Sequence, residues 1–167
     1  ENYVDEHKKA IAQIANKLSL VGPTDYDESL SKTHALYPGF LTMLIANRDA
    51  ALVTSSPRSL MDNLPKSGFT ISDRSYFVQA FYHQSLYTSP VFLGRGFGSD
   101  PIIAISAPIY AKNSTNPIGI VEGSLNLNMF DQVNRYAVND RQVEVVLTDE
   151  NDNVIYAESD LALTKLA

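Results

Sequence analysis

Asp149, Asn151, Asn153 and Asp160 stand at positions 1, 3, 5 and 12 of a calcium-binding loop template, where clustered oxygen ligands would hold a hard cation. The sixth position needs glycine for a sharp turn and holds Val154, the last ligand is Asp rather than Glu, and Val154-Ile155-Tyr156 has strand composition. The segment therefore reads as a hairpin turn. His7, His34 and His83 fall in three separate predicted elements with no His-x-x-x-His spacing, so no zinc site is expected. Gly94, Gly96 and Gly98 form G-x-G-x-G, which lacks the dinucleotide fingerprint and its strand-to-helix setting. They read as a loop whose glycines give the backbone freedom to carry Arg95 and Phe97, with a covering role over a pocket as the sharper reading. Asp73, Glu122 and His83 could each act as a base, yet none has a companion group at catalytic spacing, and no Gly-x-Ser-x-Gly elbow occurs. No catalytic residue, metal or cofactor is expected, and Asn113-Ser114-Thr115, a glycosylation sequon, reads in a bacterial protein as a polar turn.

The elements that position these side chains follow from periodicity. Val4, Ile11, Ile14, Leu18 and Val21 recur close to the coiled-coil period, which predicts a long N-terminal helix ended by Gly22-Pro23. Its stripe can pack on the chain's own sheet, form the seam of a parallel dimer, or both. Residues 27–36 suit a second helix. Apolar runs at 40–46 and 51–55 flank Asn47-Arg48-Asp49 as a hairpin, and a short helix is expected at 59–64. Ser72 or Asp73 can cap the next helix, whose Tyr76, Phe77, Ala80 and Phe81 share one face. Residues 102–109 and 118–127 are branched and apolar, as buried strands should be, and are joined by a turn at 112–117. A helix at 129–136 and a hairpin of 143–147 with 154–156 complete the order. One long helix with an antiparallel sheet of about five strands is an α+β arrangement of PAS-like type.

With 167 residues, 44% of them apolar and 10% aromatic, the chain can bury one sizeable core. A net charge of −6 argues against nucleic-acid backbones, which require clustered Lys and Arg. The absence of cysteine removes thiol chemistry and disulfides. No apolar run reaches the roughly 20 residues of a membrane helix, but the start at Glu1 and the apolar-leaning residues 161–167 suggest a segment excised from a longer protein, with membrane helices outside it.

If the two long strands pair about a turn centred near Thr115, Ser106 lies opposite Ser124 and Tyr110 opposite Ile120. Alternation then puts Ala104, Ser106 and Tyr110 on one face with Glu122, Ser124 and Asn126, while Ile103, Ile105, Ala107, Val121 and Leu125 occupy the other. A mixed face of small and polar groups under an aromatic helix suits a small polar ligand.

Asp73-Arg74-x-Tyr76-Phe77 together with Ala107-Pro108-Ile109-Tyr110 and Gly119-Ile120-Val121-Glu122-Gly123-Ser124-Leu125 resembles the Cache family of extracellular sensor domains, over roughly residues 40–156. The resemblance implies a PAS-like Cache fold and a non-enzymatic ligand-binding module of bacterial histidine kinases, chemoreceptors or cyclic-dinucleotide enzymes. In amino-acid-binding members an Arg-x-Trp-Tyr helix holds the ligand carboxylate. Arg74, Tyr76 and Phe77 are the matching positions, and the planar guanidinium can make two charge-assisted bonds to a carboxylate. The family's upstream tyrosine is Phe69 here, and its ammonium-binding aspartate matches Ser124. A neutral serine does not pair with a buried ammonium, so the resemblance with this departure points to a carboxylate lacking an α-amine. Ser106, Tyr110 and Tyr87 complete the expected site, with Glu122 contributing only if its side chain reaches deep into the same space.

The implied organisation is an N-terminal signalling or packing helix (residues 1–22), a single sensor domain (23–157) and a C-terminal segment leading toward the membrane (158–167). The expected location is the periplasmic or extracellular side of a bacterial inner-membrane receptor. Ligand binding would shift the sheet and helix and signal to a cytoplasmic histidine kinase or similar effector. Expected partners are a small-molecule ligand, with a carboxylate as its expected class, and a second copy held weakly through the N-terminal helix. A structural or dimerisation module without ligand is the alternative.

Overall fold

Two helices begin the fold. The computed structural model describes residues 3–65, 67–93, 101–127, 146–148, 151–152 and 154–157. Helix α1 (Tyr3–Leu20) has Asp5 and Glu6 in its first turn and Lys17 in its last, matching the helix dipole. It is followed by a 3-10 turn (Pro23–Asp25) and α2 (Tyr26–Leu36). Strand β1 (Phe40–Asn47) turns into β2 (Leu52–Ser56) where Asn47 Oδ1 accepts hydrogen bonds from the backbone N–H groups of Asp49 and Ala51. Then come α3 (Ser59–Asp62), α4 (Ser75–Phe81), the two-residue strands β3 (Tyr87–Thr88) and β4 (Phe92–Leu93), and the long pair β5 (Pro101–Tyr110) and β6 (Pro117–Asn126). The sheet runs β2-β1-β6-β5-β3, with β4 also pairing β5, and every pairing is antiparallel. Strands β7 (Val146–Thr148) and β8 (Val154–Ala157) form a separate ladder, the hairpin read from their sequence. The expected helix at 129–136, the Gly94-to-Gly98 loop and the C-terminal segment lie outside the described residues, as do Asp149, Asn153 and Asp160 of the calcium template.

The period of two along β1, β5 and β6 divides the core. Met43, Ile45, Ile103, Ile105, Val121 and Leu125 face α1 and α2, whereas Leu44, Ala46, Ala104 and Ile120 face α4. Gly123 is required on the first side: a Cβ there would stand 2.5 Å from the buried Phe40 ring.

Register differs from expectation. Ser106 pairs with Glu122, Ala104 with Ser124, and Tyr110 with Pro117 across an irregularity, so the strands are offset by two residues. The cause is the turn, which closes around Asn113 (φ 56) and Ser114, with Ser114 N–H donating to Ala111 O and Ala111 N–H to Asn116 O. A slip of two preserves which face each side chain takes, so the division into two faces is unaffected.

Of the roles expected of the N-terminal stripe, packing on the chain's own sheet is the one the single chain displays. Ile11 is 0% and Leu18 1% exposed, Ile14 is buried with them, and Val4 and Val21 pack on the same cluster. The exposed side of α1 carries Asp5, Glu6, Lys9, Gln13, Asn16 and Lys17. Helix α1 thus belongs to the domain's own core.

Candidate functional site

A cavity lies on the α4 side of the sheet. Its floor is β1 and β6, contributing Thr42, Leu44, Glu122 and Ser124. Leu60, Leu64, Phe69 and Ile71, from α3 and the segment after it, form one wall, and Arg74, Tyr76 and Phe92 another. A mostly apolar enclosure with a few polar groups is the form of a small-molecule site.

Arg74 occupies the capping position of α4 in extended conformation (φ −82, ψ 132). The helix starts at Ser75, so Arg74 rather than Ser72 or Asp73 stands at its capping position, where its own side chain makes no cap bond. Backbone bonds hold Arg74 in place: its N–H donates to Ile71 O, and its carbonyl accepts from Phe77 and Val78 N–H. The half-buried side chain extends over Phe92, with Cζ 5.6 Å from the ring centroid, in cation–π range. Tyr76 stacks on the same ring from 6.2 Å, so one aromatic plane orients both polar groups of this wall. Among the described residues Arg74 forms no ion pair.

Glu122 is 1% exposed. Its Oε1 accepts a 2.8 Å hydrogen bond from Ser124 Oγ, and its Oε2 has no partner among the described residues. Burial pushes its carboxyl up to about 8, against the opposing pull of the Ser124 bond. At neutral pH the group is therefore mainly a carboxylic acid.

Of the side chains expected from sequence, Phe69, Arg74, Tyr76 and Ser124 meet at this cavity. Phe77, Ser106, Tyr87 and Tyr110 do not line it. Phe77 is buried beneath α4 and stacks on Phe81. Tyr87 sits on the short strand opposite Ser106 and packs against the α4-side cluster. Tyr110 lies at the turn end of β5, where its backbone N–H bonds Ser19 Oγ of α1. Ser106 is a fastener: its buried Oγ donates to Tyr76 O at 2.8 Å and ties α4 to the central strand. Ser106→Ala should lower stability by about 1 kcal/mol, since it removes a buried hydrogen bond between β5 and α4; urea titration followed by circular dichroism measures it, and a change below about 0.3 kcal/mol would deny the bond this role.

Sequence reasoning missed Thr42, Leu60, Leu64, Ile71 and Phe92, and undervalued Glu122. For Glu122 a signal existed, as it is the only charged residue in the strand Pro117–Asn126. The wall residues come from short connecting segments whose sequence carries no period.

No family model and no curated protein matches this chain. Solved structures do. The ligand-binding domain of the amino acid chemoreceptor PctC of Pseudomonas aeruginosa PAO1, in complex with GABA, aligns over 94% of this chain and 68% of its own length, with TM-score 0.72 and 15% identity. The ligand-binding domain of the Pseudomonas fluorescens chemoreceptor CtaA, in complex with L-serine, aligns over 94% and 65%, with TM-score 0.71 and 14% identity. An extracellular ligand binding receptor from Desulfohalobium retbaense gives TM-score 0.79 at 14% identity, with 94% of this chain and 28% of the other. The chain thus spans about two thirds or less of each neighbour's length. It has the α+β fold of these sensor domains, the Cache-type fold that its motifs resemble.

Proposed function

We propose that this chain is the ligand-sensing part of a bacterial transmembrane receptor, exposed on the periplasmic or extracellular side, and that it recognises a small carboxylate through Arg74. The observation that carries this reading is a guanidinium with no ion pair among the described residues, oriented by Phe92, at a mostly apolar cavity that Tyr76 also lines. Such a group recognises a planar anion in two-pronged fashion, and apolar walls strengthen the attraction by excluding water. The bound ligands of the two chemoreceptor neighbours, GABA and L-serine, both contain a carboxylate. The signal would pass to a cytoplasmic histidine kinase or similar effector through membrane segments outside this chain; among the described residues no helix is long and apolar enough to cross a membrane. The cavity does the work of a sensor only if ligand binds one arrangement of the domain better than another. The neutral Ser124, which argues for a carboxylate lacking an α-amine, stands beside the acid Glu122 in the same cavity.

Thermal denaturation against a panel of small carboxylates, with and without amines, tests the reading. A ligand at a hundred times its Kd stabilises the folded state by about 2.7 kcal/mol, which for a domain of this size raises Tm by roughly 5–10 °C. A panel in which no member shifts Tm would count against carboxylate sensing.

A further inference from the structure

Helix α1 meets the start of β1 through one buried histidine. His7 is 4% exposed, and its ring centre lies 4.4 Å from that of Tyr3, 4.8 Å from that of Phe40 and 5.9 Å from that of Tyr37. Its Nδ1 stands 2.7 Å from Tyr3 O. A carbonyl only accepts, so Nδ1 carries the proton and the neutral ring presents a bare lone pair at Nε2. Nε2 has no hydrogen-bond partner among the described residues, and the Tyr3 hydroxyl near it makes no bond to it. Against it lies Gly39, where a Cβ would collide with both His7 Nε2 and the Tyr3 hydroxyl. Only the Cα–H of a glycine fits over that lone pair, a weak contact that a second N–H would turn into a collision.

We propose that His7 is an acid-released latch: a second proton on its ring lifts the first two turns of α1 from the sheet. Acid thereby becomes an input separate from the cavity, delivered on the opposite face of the sheet. The latch stands apart from the carboxylate reading of Arg74, and only its use as a signal rests on the sensor reading.

No described group near the ring is placed to shelter an imidazolium. Tyr3 and Tyr37 are the titratable side chains against it, and burial, with Glu6 adding to it, pushes the Tyr3 hydroxyl above its ordinary value. Asp5, Glu6 and Lys9 lie on the exposed side of α1, and Lys8 is half-buried. From β1 the ring meets Phe40, and behind Phe40 stands Gly123 of β6. His34 of α2 comes nearest from that element, donating from Nε2 to Phe40 O. Glu122 faces the other side of the sheet. The seat also reaches β6 directly, because Gly39 O accepts from Asn126 N–H.

The sign follows from which form fits. A seat that takes no second proton is at full strength above the ordinary histidine range and weakens as pH falls through it. If the released ring titrates at the ordinary value of about 6.5, local opening should be about tenfold more frequent at pH 5.5 than at pH 7.5. Glu122 acts the other way: its carboxyl, raised to about 8, adds stability as pH falls.

Hydrogen exchange of the ligand-free wild-type protein at pH 7.5 and 5.5, expressed as protection factors, decides the matter. Amides 7–10, the first that α1 can bond internally, should lose about tenfold in protection on acidification, while β5 and β6 keep theirs. His7→Phe keeps a ring among the aromatic neighbours but cannot titrate, so its protection should be the same at both values. No loss in the wild type, a loss shared by β5 and β6, or an equal loss in His7→Phe, where His34 still titrates, overturns the latch. If that variant fails to fold, nitrogen NMR of the wild-type histidine rings serves instead. His7 should be the Nδ1–H tautomer at pH 7.5, and a ring that takes its second proton while amides 7–10 stay protected overturns the latch. Each of these failures leaves carboxylate binding at Arg74 untouched.

Discussion

Replacing Arg74 by lysine should weaken carboxylate binding roughly tenfold to a hundredfold while the domain stays folded, although the charge is unchanged. Loss of a hydrogen bond to a charged group costs about 1.5–3 kcal/mol, and an ammonium offers a point charge where the guanidinium offers a planar fork. Lysine would also lose the flat contact over Phe92 that fixes where the guanidinium stands. The fold should survive because the backbone of Arg74, not its side chain, makes the bonds to Ile71, Phe77 and Val78 that start α4. Calorimetry with the best carboxylate from the thermal panel, alongside circular dichroism, checks both halves. An affinity within twofold of wild type in a folded Arg74→Lys protein would remove this residue from the site.

Ile11→Asp should unfold the domain. Ile11 is fully buried between α1 and the sheet, beside Ile14 and Leu18. Truncating such a side chain costs about 2–5 kcal/mol, and an aspartate adds the penalty of a buried charge with no partner. A loss of this size is comparable with the whole stability of a typical domain, about 5–15 kcal/mol. Asn16→Asp on the exposed side of the same helix is the control and should leave the melting profile nearly unchanged. Urea denaturation and sedimentation of both variants give the answer. A folded Ile11→Asp protein that associates less than wild type would return the stripe to an intermolecular role.

How far these residues could be read in advance depended on what sets their position. Helices α1 and α2, the β1–β2 hairpin and both long strands follow from local pattern and turn chemistry, and the two sheet faces follow from parity. Parity says nothing of depth along a strand. Ser106 and Ser124 share a face, yet α4 sits over Ser106 and takes its hydroxyl, whereas Ser124 opens on the cavity. Tyr110 is displaced by the irregularity next to Ile109 and sits at the far end of the sheet. The reach of Glu122 was underrated because its neighbours on β5, Ala104 and Ser106, are small and leave room along the face. The walls at Leu60, Leu64, Ile71 and Phe92 belong to segments placed by long-range packing, to which local sequence is blind.

Strand β6 is the partition between the cavity and α1, and it is one residue thick. Glu122 looks into the cavity, while its covalent neighbours Val121 and Gly123 look the other way, Val121 into the cluster that includes α1 and Gly123 onto the Phe40 ring. Phe40 in turn meets His7 of α1 edge-on, with ring centroids 4.8 Å apart. Occupancy on one side is thus mechanically continuous with the seating of the N-terminal helix on the other, like a diaphragm pressed from one chamber and read in the next. A rigid wall of this kind transmits a displacement without amplifying it, so under the sensing reading proposed above any gain would have to lie in how α1 is seated on the far side.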